Sequence, residues 1–282
     1  MNRLPFDKQV AVVTALCEGA SIRATSRMTG VAKGTITSLL ETVGTACAEF
    51  HDRTVVRVKA RRIQCDETWC FCYAKEKNVP SDKRGQFGYG DVWTWVAIDA
   101  DTKLNIAYLV AKRDLRSAHI FMQDLAPRLA NRVQLTTDGL RVYLVAVEGA
   151  FGVDVDYATL HKLYGAPEES EKRYSPAQCI GVKAATVCGR PDFAHISTSF
   201  IERQNLTMRM QMRRFTRLTN GFSKKIENLC YAVALYAVHY NFCRVHQTLR
   251  VTPAMEAGLA TRVWDVADIV RLVEPSGVRA VA

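Results

Sequence analysis

The apolar positions change period along the chain, and the change sets the expected architecture. Near the N-terminus Phe6, Val10, Val13 and Leu16 recur at the spacing of one helix face, and Gly19 supplies a stop. Ser21 is positioned to cap a second helix beginning at Ile22. Gly30 marks a tight turn before a third helix over Lys33–Val43 that points Ile36, Leu39 and Leu40 inward. Ser26, four residues before Gly30, is small enough for two helices to cross closely. This spacing predicts an all-α helix-turn-helix domain whose last helix offers Lys33, Thr35, Thr37 and Ser38 to a DNA major groove. Ordinary three-helix packing produces the same spacing.

From Arg62 the period shortens to two. Strands are expected over Ile63–Tyr73, Val92–Ile98 and Leu104–Val110, the last two joined by a turn at Asp99–Thr102, with a polar loop over Lys75–Gly90. A helix capped by Ser117 carries Phe121, Leu125 and Leu129 on one face. Strand Val133–Thr136, helix Leu140–Glu148 and strand Val153–Tyr157 follow. Together these give an α/β fold, a small mixed sheet flanked by helices. Residues 165–192 have no clear period: they hold a charge run over Glu168–Arg173, and Ile180–Cys188 reads either as a strand pair or as an inserted loop. Helix returns from Ser199 to about Thr216. A further helix capped by Ser223 buries Ile226, Leu229, Val233, Ala237 and Tyr240, and short helices follow Pro253. The expected division is a helix-turn-helix domain over 1–50, a catalytic domain over 51–220 with an insertion at 158–196, and a C-terminal helical region over 221–282.

A hydrophobic fraction of 48% and a charged fraction of 23% are those of a globular chain with a buried core. No apolar run reaches membrane length and no signal-peptide core opens the sequence, so an intracellular protein without a membrane partner is expected. The formal charge of +10 is uneven: Arg203–Arg250 holds nine Lys or Arg against the single acid Glu227. Such a segment fits a polyanionic partner, although a solvated basic face accounts for it equally well. Nine cysteines, an odd number without a secretory signal, argue against a disulfide framework. Cys65, Cys70 and Cys72 match no common zinc spacing and read as small buried apolar groups.

Three acids draw the chemistry. Asp66 sits inside an expected strand, where Asp is disfavoured; Asp138 follows another; Glu202 opens a helix. Brought together, they could hold two Mg²⁺ ions, roughly 3.5–4 Å apart, for phosphoryl transfer. Each has a plainer reading: Asp138-Gly139 is a common turn pair, and Glu202 could be solvated. Strand alternation sends Glu67 to the face opposite Asp66, so Glu67 is expected to be a supporting or surface group. Asn205 and Arg209 share a helix face with Glu202 and could point donors at phosphates, with Arg213, Arg214 and Arg217 extending a basic track. His195 lies just before this helix and could contact DNA, although a satisfied structural histidine is the plainer expectation.

In these residues the chain resembles the DDE transposases of bacterial insertion sequences, specifically the insertion-sequence-one family. The strongest match is HISTSFIERQNLTMRMQMRRFTRLTNGFSKKIEN, from His195 to Asn228, followed by HYNFCRVHQTLRVTPAMEAG, from His239 to Gly258. CDETWCF and TTDG precede them in the family's order, and the likeness extends from the helix-turn-helix to about Trp264. The resemblance implies a ribonuclease H-like catalytic domain with Asp66, Asp138 and Glu202 as its catalytic, metal-holding triad. It also implies a role for Arg209 at the transposon end, and Mg²⁺ as cofactor with Mn²⁺ able to substitute. The implied reaction is hydrolysis at terminal inverted repeats, which frees 3′-OH groups to attack target DNA. The enzyme is expected to act in the bacterial cytoplasm, on the nucleoid, as at least a homodimer on DNA. The rival readings are a non-catalytic DNA-binding regulator of transposon descent and a ribonuclease H-like structure-directed nuclease. Some members carry an N-terminal zinc finger. No CxxC precedes the helix-turn-helix here, and Cys17 and Cys47 cannot supply one, so end recognition is expected to rest on fewer elements.

Overall fold

The computed structural model describes residues 4–165, 179–216 and 219–274. Three helices open it: α1 (Phe6–Cys17), α2 (Ile22–Thr29) and α3 (Lys33–Thr54). The Ser21 side chain accepts from the Ala24 N–H at 3.1 Å, the expected cap. Gly30 takes φ +71°, a left-handed position that ends α2 at the cost only glycine avoids. The Ser26 hydroxyl donates to the Val31 carbonyl across this turn at 2.7 Å. The third helix runs eleven residues past Val43, the end the sequence marked, so the expected boundary after residue 50 falls inside it. Its last turns are apolar on one side, with Val43, Cys47 and Phe50 buried in the main core.

The sheet has six strands in the order β3-β2-β1-β4-β5-β6. They are β1 (Arg62–Cys72), β2 (Gly90–Asp99), β3 (Asn105–Ala111), β4 (Val133–Thr137), β5 (Val155–Tyr164) and β6 (Cys179–Cys188). The β1, β2 and β3 strands form an antiparallel meander, β1, β4 and β5 run parallel, and β6 returns antiparallel on β5. Asp99 closes the β2–β3 turn, its carboxylate accepting from the Asp101 N–H and the Thr102 hydroxyl. The strand expected to stop at Tyr157 runs to Tyr164 because it pairs with β6, so the segment expected as an insertion contains a hairpin of the sheet. Its charge run, 168–173, lies outside the described residues.

Helices cover both faces. One side of the sheet packs on α4 (Leu115–Arg128) and α5 (Val142–Phe151), where Trp95 meets Phe121 and Tyr143. The α4 cap is Asp114, whose carboxylate accepts from the Ser117 N–H at 2.9 Å; the helix begins before Ser117, which is not the cap. On the other side, Cys70, Val92 and Val96 pack under α6 (Ser199–Gln211) and α7 (Ile226–Val238). The expected single helix from Ser199 breaks at Met212, whose extended backbone turns Met212 and Phe215 into this core. Ser223 does not cap α7; its carbonyl instead accepts from the Tyr73 N–H at 2.8 Å. A π-helical turn over His239–Cys243 continues α7, followed by α8 (Pro253–Glu256) and α9 (Val266–Arg271). Within that turn Asn241 both accepts from the Asn105 N–H and donates to its carbonyl, fixing the start of edge strand β3. No helix among the described residues is long and apolar enough to cross a membrane.

Candidate metal centre

The β1–β4 pairing runs from Arg62 opposite Gln134 to Cys65 opposite Thr137, and there it stops. β4 leaves the sheet at Asp138-Gly139 while β1 continues to Cys72 with β2 on its other flank. Asp66 and Asp138 thus stand one step beyond the last paired residues of two neighbouring parallel strands. Ligand crevices in open α/β sheets form at such carboxyl ends. The Asp138 Oδ1 accepts from the Leu140 N–H at 2.9 Å, the plain turn role, and its Oδ2 lies 3.6 Å from Arg113.

Oxygens of Asp66, Glu67 and Asp138 lie within 4.8 Å of one another. This corrects the expectation that Glu67 is kept away from Asp66 by alternation. The two side chains do leave β1 on opposite faces: Asp66 reaches Asn205 on α6, whereas Glu67 reaches Tyr143 on α5. With β4 ended, no strand among the described residues fills that flank of β1 at this level, and both carboxylates reach the same gap. Glu67 is also no surface group. Its side chain is 0% exposed, accepting from the Tyr143 hydroxyl on one oxygen and from Arg113 Nε at 3.0 Å on the other. The Arg113 guanidinium lies 4.7 Å over the Trp93 ring.

Asp66 accepts from the Glu67 N–H and from Asn205 Nδ2, each at 2.8 Å. Burial pushes Asp66 up to about 6, opposed by the Glu67 N–H bond and reinforced by the charges of Asp138 and Glu202. Burial likewise pushes Glu67 up to about 7, with Asp138 and Asp66 adding to it and Tyr143 and Arg113 opposing. Carboxylates crowded in this way are stabilised in their charged form by a cation. An all-oxygen donor set suits a hard divalent ion such as Mg²⁺ or Mn²⁺.

Glu202 stands on the first turn of α6, outside that group of three. Thr198 donates to one of its oxygens at 2.6 Å, and Lys162 of β5 pairs with the other. Its charge nevertheless acts on Asp66, and Asn205, one turn further along α6, touches Asp66 directly. Gln64 holds this helix to the sheet: its side-chain oxygen accepts from the N–H groups of Phe200 and Ile201 at 2.9 and 3.0 Å. Gln64 and Asp66 share a face of β1, so one strand sets both the acid and the helix above it.

No protein-family model matches the chain, and no curated protein matches it. Among solved structures, it aligns with a piggyBac transposase synaptic complex with hairpin DNA at 10% identity and a TM-score of 0.41, covering 96% of this chain and 70% of that one. A Mos1 transposase paired-end complex with left transposon end aligns at 12% identity and a TM-score of 0.24, over 56% of this chain and 59% of that one. The Mos1 Strand Transfer Complex aligns at 12% identity and a TM-score of 0.25, over 84% and 75%. Likenesses this weak assign no function, and the side chains must carry it.

The residues expected to meet DNA are dispersed. Lys33, Thr35 and Ser38 are exposed at the start of α3; Thr37 is half-buried, its hydroxyl donating to the Lys33 carbonyl. Asn205, expected on a phosphate, is buried and committed to Asp66. Arg209 is half-buried on α6. Arg213 is exposed and Arg214 half-buried in the 3₁₀ turn that follows, and Arg217 lies outside the described residues. A groove of about 790 Å³ separates the start of α3 from this turn, with Arg23, Lys33, Arg213 and Lys224 among its walls. The His195 ring shares a 2.8 Å hydrogen bond with Arg62 beside the sheet.

Arg113, Gln64 and Lys162 escaped the sequence reading, and Glu67 entered it only as a supporting or surface group. For Glu67 the signal was present, an acid beside an acid in a strand, and the alternation rule dismissed it. Arg113, Gln64 and Lys162 carry no local signature; only the long-range strand order gives them a role.

Proposed function

We propose that this chain is a metal-dependent DDE-type DNA transposase. It would bind terminal inverted repeats, hydrolyse the phosphodiester at the element's ends and transfer the freed 3′-OH to target DNA. The observation that carries the reading is the convergence of carboxylate oxygens from β1 and the β4 turn within 4.8 Å, at the open end of a parallel strand pair. Residues Asp66 and Asp138 would hold the divalent ions, with Glu202 closing the set from α6 and Glu67 available in its place. Two such ions, Mg²⁺ or Mn²⁺, would supply Lewis-acid activation of the attacking oxygen and charge stabilisation of the leaving one.

The chain's own groups do the rest. Asn205 fixes the orientation of Asp66, and Arg113 bridges Glu67 and Asp138, limiting their repulsion. Glu202 is held by Lys162 and Thr198, so its approach to the other acids exchanges one cation partner for another. Helices α1 to α3, read as a helix-turn-helix, would recognise the inverted repeat through Lys33, Thr35, Thr37 and Ser38. The groove beside them and Arg209, Arg213, Arg214 and Arg217 would carry the phosphates. Pairing two ends calls for at least a dimer on DNA.

A duplex carrying the inverted repeat tests this. Cleavage is expected with Mg²⁺ or Mn²⁺ and none with chelator, and Asp66→Asn, Asp138→Asn and Glu202→Gln are expected to lose it while still binding. A wild-type protein that binds but never cuts overturns the enzyme and leaves the regulator. Cutting without joined products on a supercoiled target leaves the nuclease.

A further inference from the structure

The acids lie at one end of an open slot. From Asp66 to Phe71 the flank of β1 that β4 has vacated has no strand partner among the described residues; at Cys72 it meets Ser223 in a single bridge. The residues sharing the Glu67 face continue the row as Trp69, Phe71 and Tyr73, each half-exposed. A cavity of about 690 Å³ opens here, walled by Trp69, Phe71 and Phe222, with Lys75, Lys77 and Arg214 as its charged groups. No carboxylate lines it among the described residues. Its size is that of a small-molecule pocket.

Two features of the walls point to an occupant. The rings are close and tilted, Phe71 to Phe222 at 4.6 Å and Trp69 to Phe71 at 5.9 Å, both 39° from parallel. All three rings are half-exposed, and exposed Lys224 lays its Nζ 3.8 Å over the Phe222 ring, a cation that an incoming base would displace. Arg214 is half-buried, and its side chain bonds Ser223 Oγ at 2.6 Å with no carboxylate partner among the described residues. Arginine keeps its charge in proteins, and a partly desolvated charge without a counter-ion is costly. Burial lowers its pKa to about 10, which leaves it charged at neutral pH. Aromatic faces, cations and no acids together fit a planar base joined to an anion.

We propose that this slot takes an unpaired DNA nucleotide next to the cleavage point, its base stacked among Trp69, Phe71 and Phe222 and its phosphate on Arg214. The inference rests on the proposed nucleic-acid reaction and adds the form of the substrate: a strand locally unpaired where it passes the acids. Trp69 follows Glu67 by two residues on the same face, about 7 Å along the strand. The slot therefore receives the chain immediately beyond the scissile group and holds it apart from its complement.

The test needs no catalysis. Binding of an oligothymidylate about eight nucleotides long, and of a duplex containing it, is measured by anisotropy in EDTA at fixed salt. Phe222→Ala is expected to weaken the single strand about tenfold and the duplex less than about twofold, while Phe222→Tyr stays within about twofold for both. Arg214→Gln is expected to lower the salt slope of single-strand binding by about 0.7. Unchanged single-strand affinity in Phe222→Ala overturns the inference, as does an equal loss for both DNAs in a protein whose thermal midpoint is unchanged. Phe222→Leu, which keeps apolar volume without a ring, repeats the test if the alanine variant is poorly folded. Successful duplex cleavage alongside unchanged oligothymidylate binding would remove this pocket and spare the proposed function. Selective loss in a protein that never cuts would do the reverse.

Discussion

Asn205, near the middle of α6, donates its side-chain amide to Oδ2 of Asp66 on β1 at 2.8 Å, across 139 positions of sequence. The amide is buried, so its geometry fixes the carboxylate rather than following it. Removing a group that orients a metal-holding carboxylate typically costs about 10- to 100-fold in metal affinity or activity. Asn205→Ala is therefore expected to raise the Mn²⁺ concentration needed for half-maximal cleavage by about that factor, with duplex affinity in chelator unchanged. An unaltered metal titration would show that the contact only packs α6.

Asp66 has a folded-state pKa near 6 against an ordinary carboxylate value of 3.8. A carboxylate raised in this way binds its proton more tightly when folded. Its contribution to stability is present below the ordinary value and is lost as pH rises through the folded value. At pH 7.5 in EDTA the charged Asp66 should weaken the fold by on the order of 3 kcal/mol. Asp66→Asn is expected to melt higher than wild type there, the gap closing toward pH 4, and to lose the Mg²⁺-induced rise in thermal midpoint. Equal midpoints at pH 7.5 without metal would contradict this.

His51 runs the opposite way. Burial, reinforced by Arg128, lowers its pKa to about 4, and its ring Nε2 meets the Asn105 carbonyl at 3.2 Å. The unfolded chain takes up a proton near 6.5 that the folded one resists until about 4, so stability falls as pH drops through that window. The loss reaches about 3 kcal/mol. His51→Phe is expected to flatten this acid limb in urea titrations at pH 7 and pH 4.5, even if it starts from lower stability. A slope as steep as wild type would mean that His51 is protonated in the native state.

Under the proposed function, Glu67 and Glu202 are the two candidates for a third ligand beside Asp66 and Asp138. Each is to be changed to glutamine, and Mn²⁺ binding measured by calorimetry without DNA. If the arrangement described here is the binding one, Glu67→Gln weakens Mn²⁺ by about tenfold or more and Glu202→Gln by less. The reverse order would mean that Glu202 leaves Lys162 to join Asp66 and Asp138.

Gly44 on α3 faces α7 so closely that an added Cβ would sit 2.5 Å from Tyr231 Cβ and 2.7 Å from its carbonyl oxygen. Gly44→Ala gains up to about 1 kcal/mol of helix propensity. Against this, overpacking costs about 1–3 kcal/mol or more, because backbone must move. A lowered urea midpoint is expected. A raised one would show the helices free to part.

Local chemistry was the legible part of this chain. Ser21, Gly30 and the Asp99 turn act through neighbours within a few residues, and the pattern exposed them directly. The strand expected at Val133 was readable for the same reason, its turn pair marking the end. What the pattern could not supply was adjacency. That β4 lies beside β1, and stops at Thr137, is a pairing between residues some seventy positions apart. On it depend the nearness of Asp138 to Asp66, the inward turn of Glu67 and the use of Arg113. Ser117 and Ser223 failed as caps because Asp114 lay upstream of the first and the Arg214 guanidinium claimed the hydroxyl of the second.

The 22 residues of α3 form one unbroken rod, about 33 Å long at 1.5 Å per residue. One end carries exposed Lys33 and Thr35; the other sinks Phe50 against Phe242 and Trp264. Nothing hinged intervenes, so whatever docks at the near end is held at a fixed bearing from the sheet. Any long polymer held both at the near end and at the sheet has to bring its own curvature, since α3 has no joint between them.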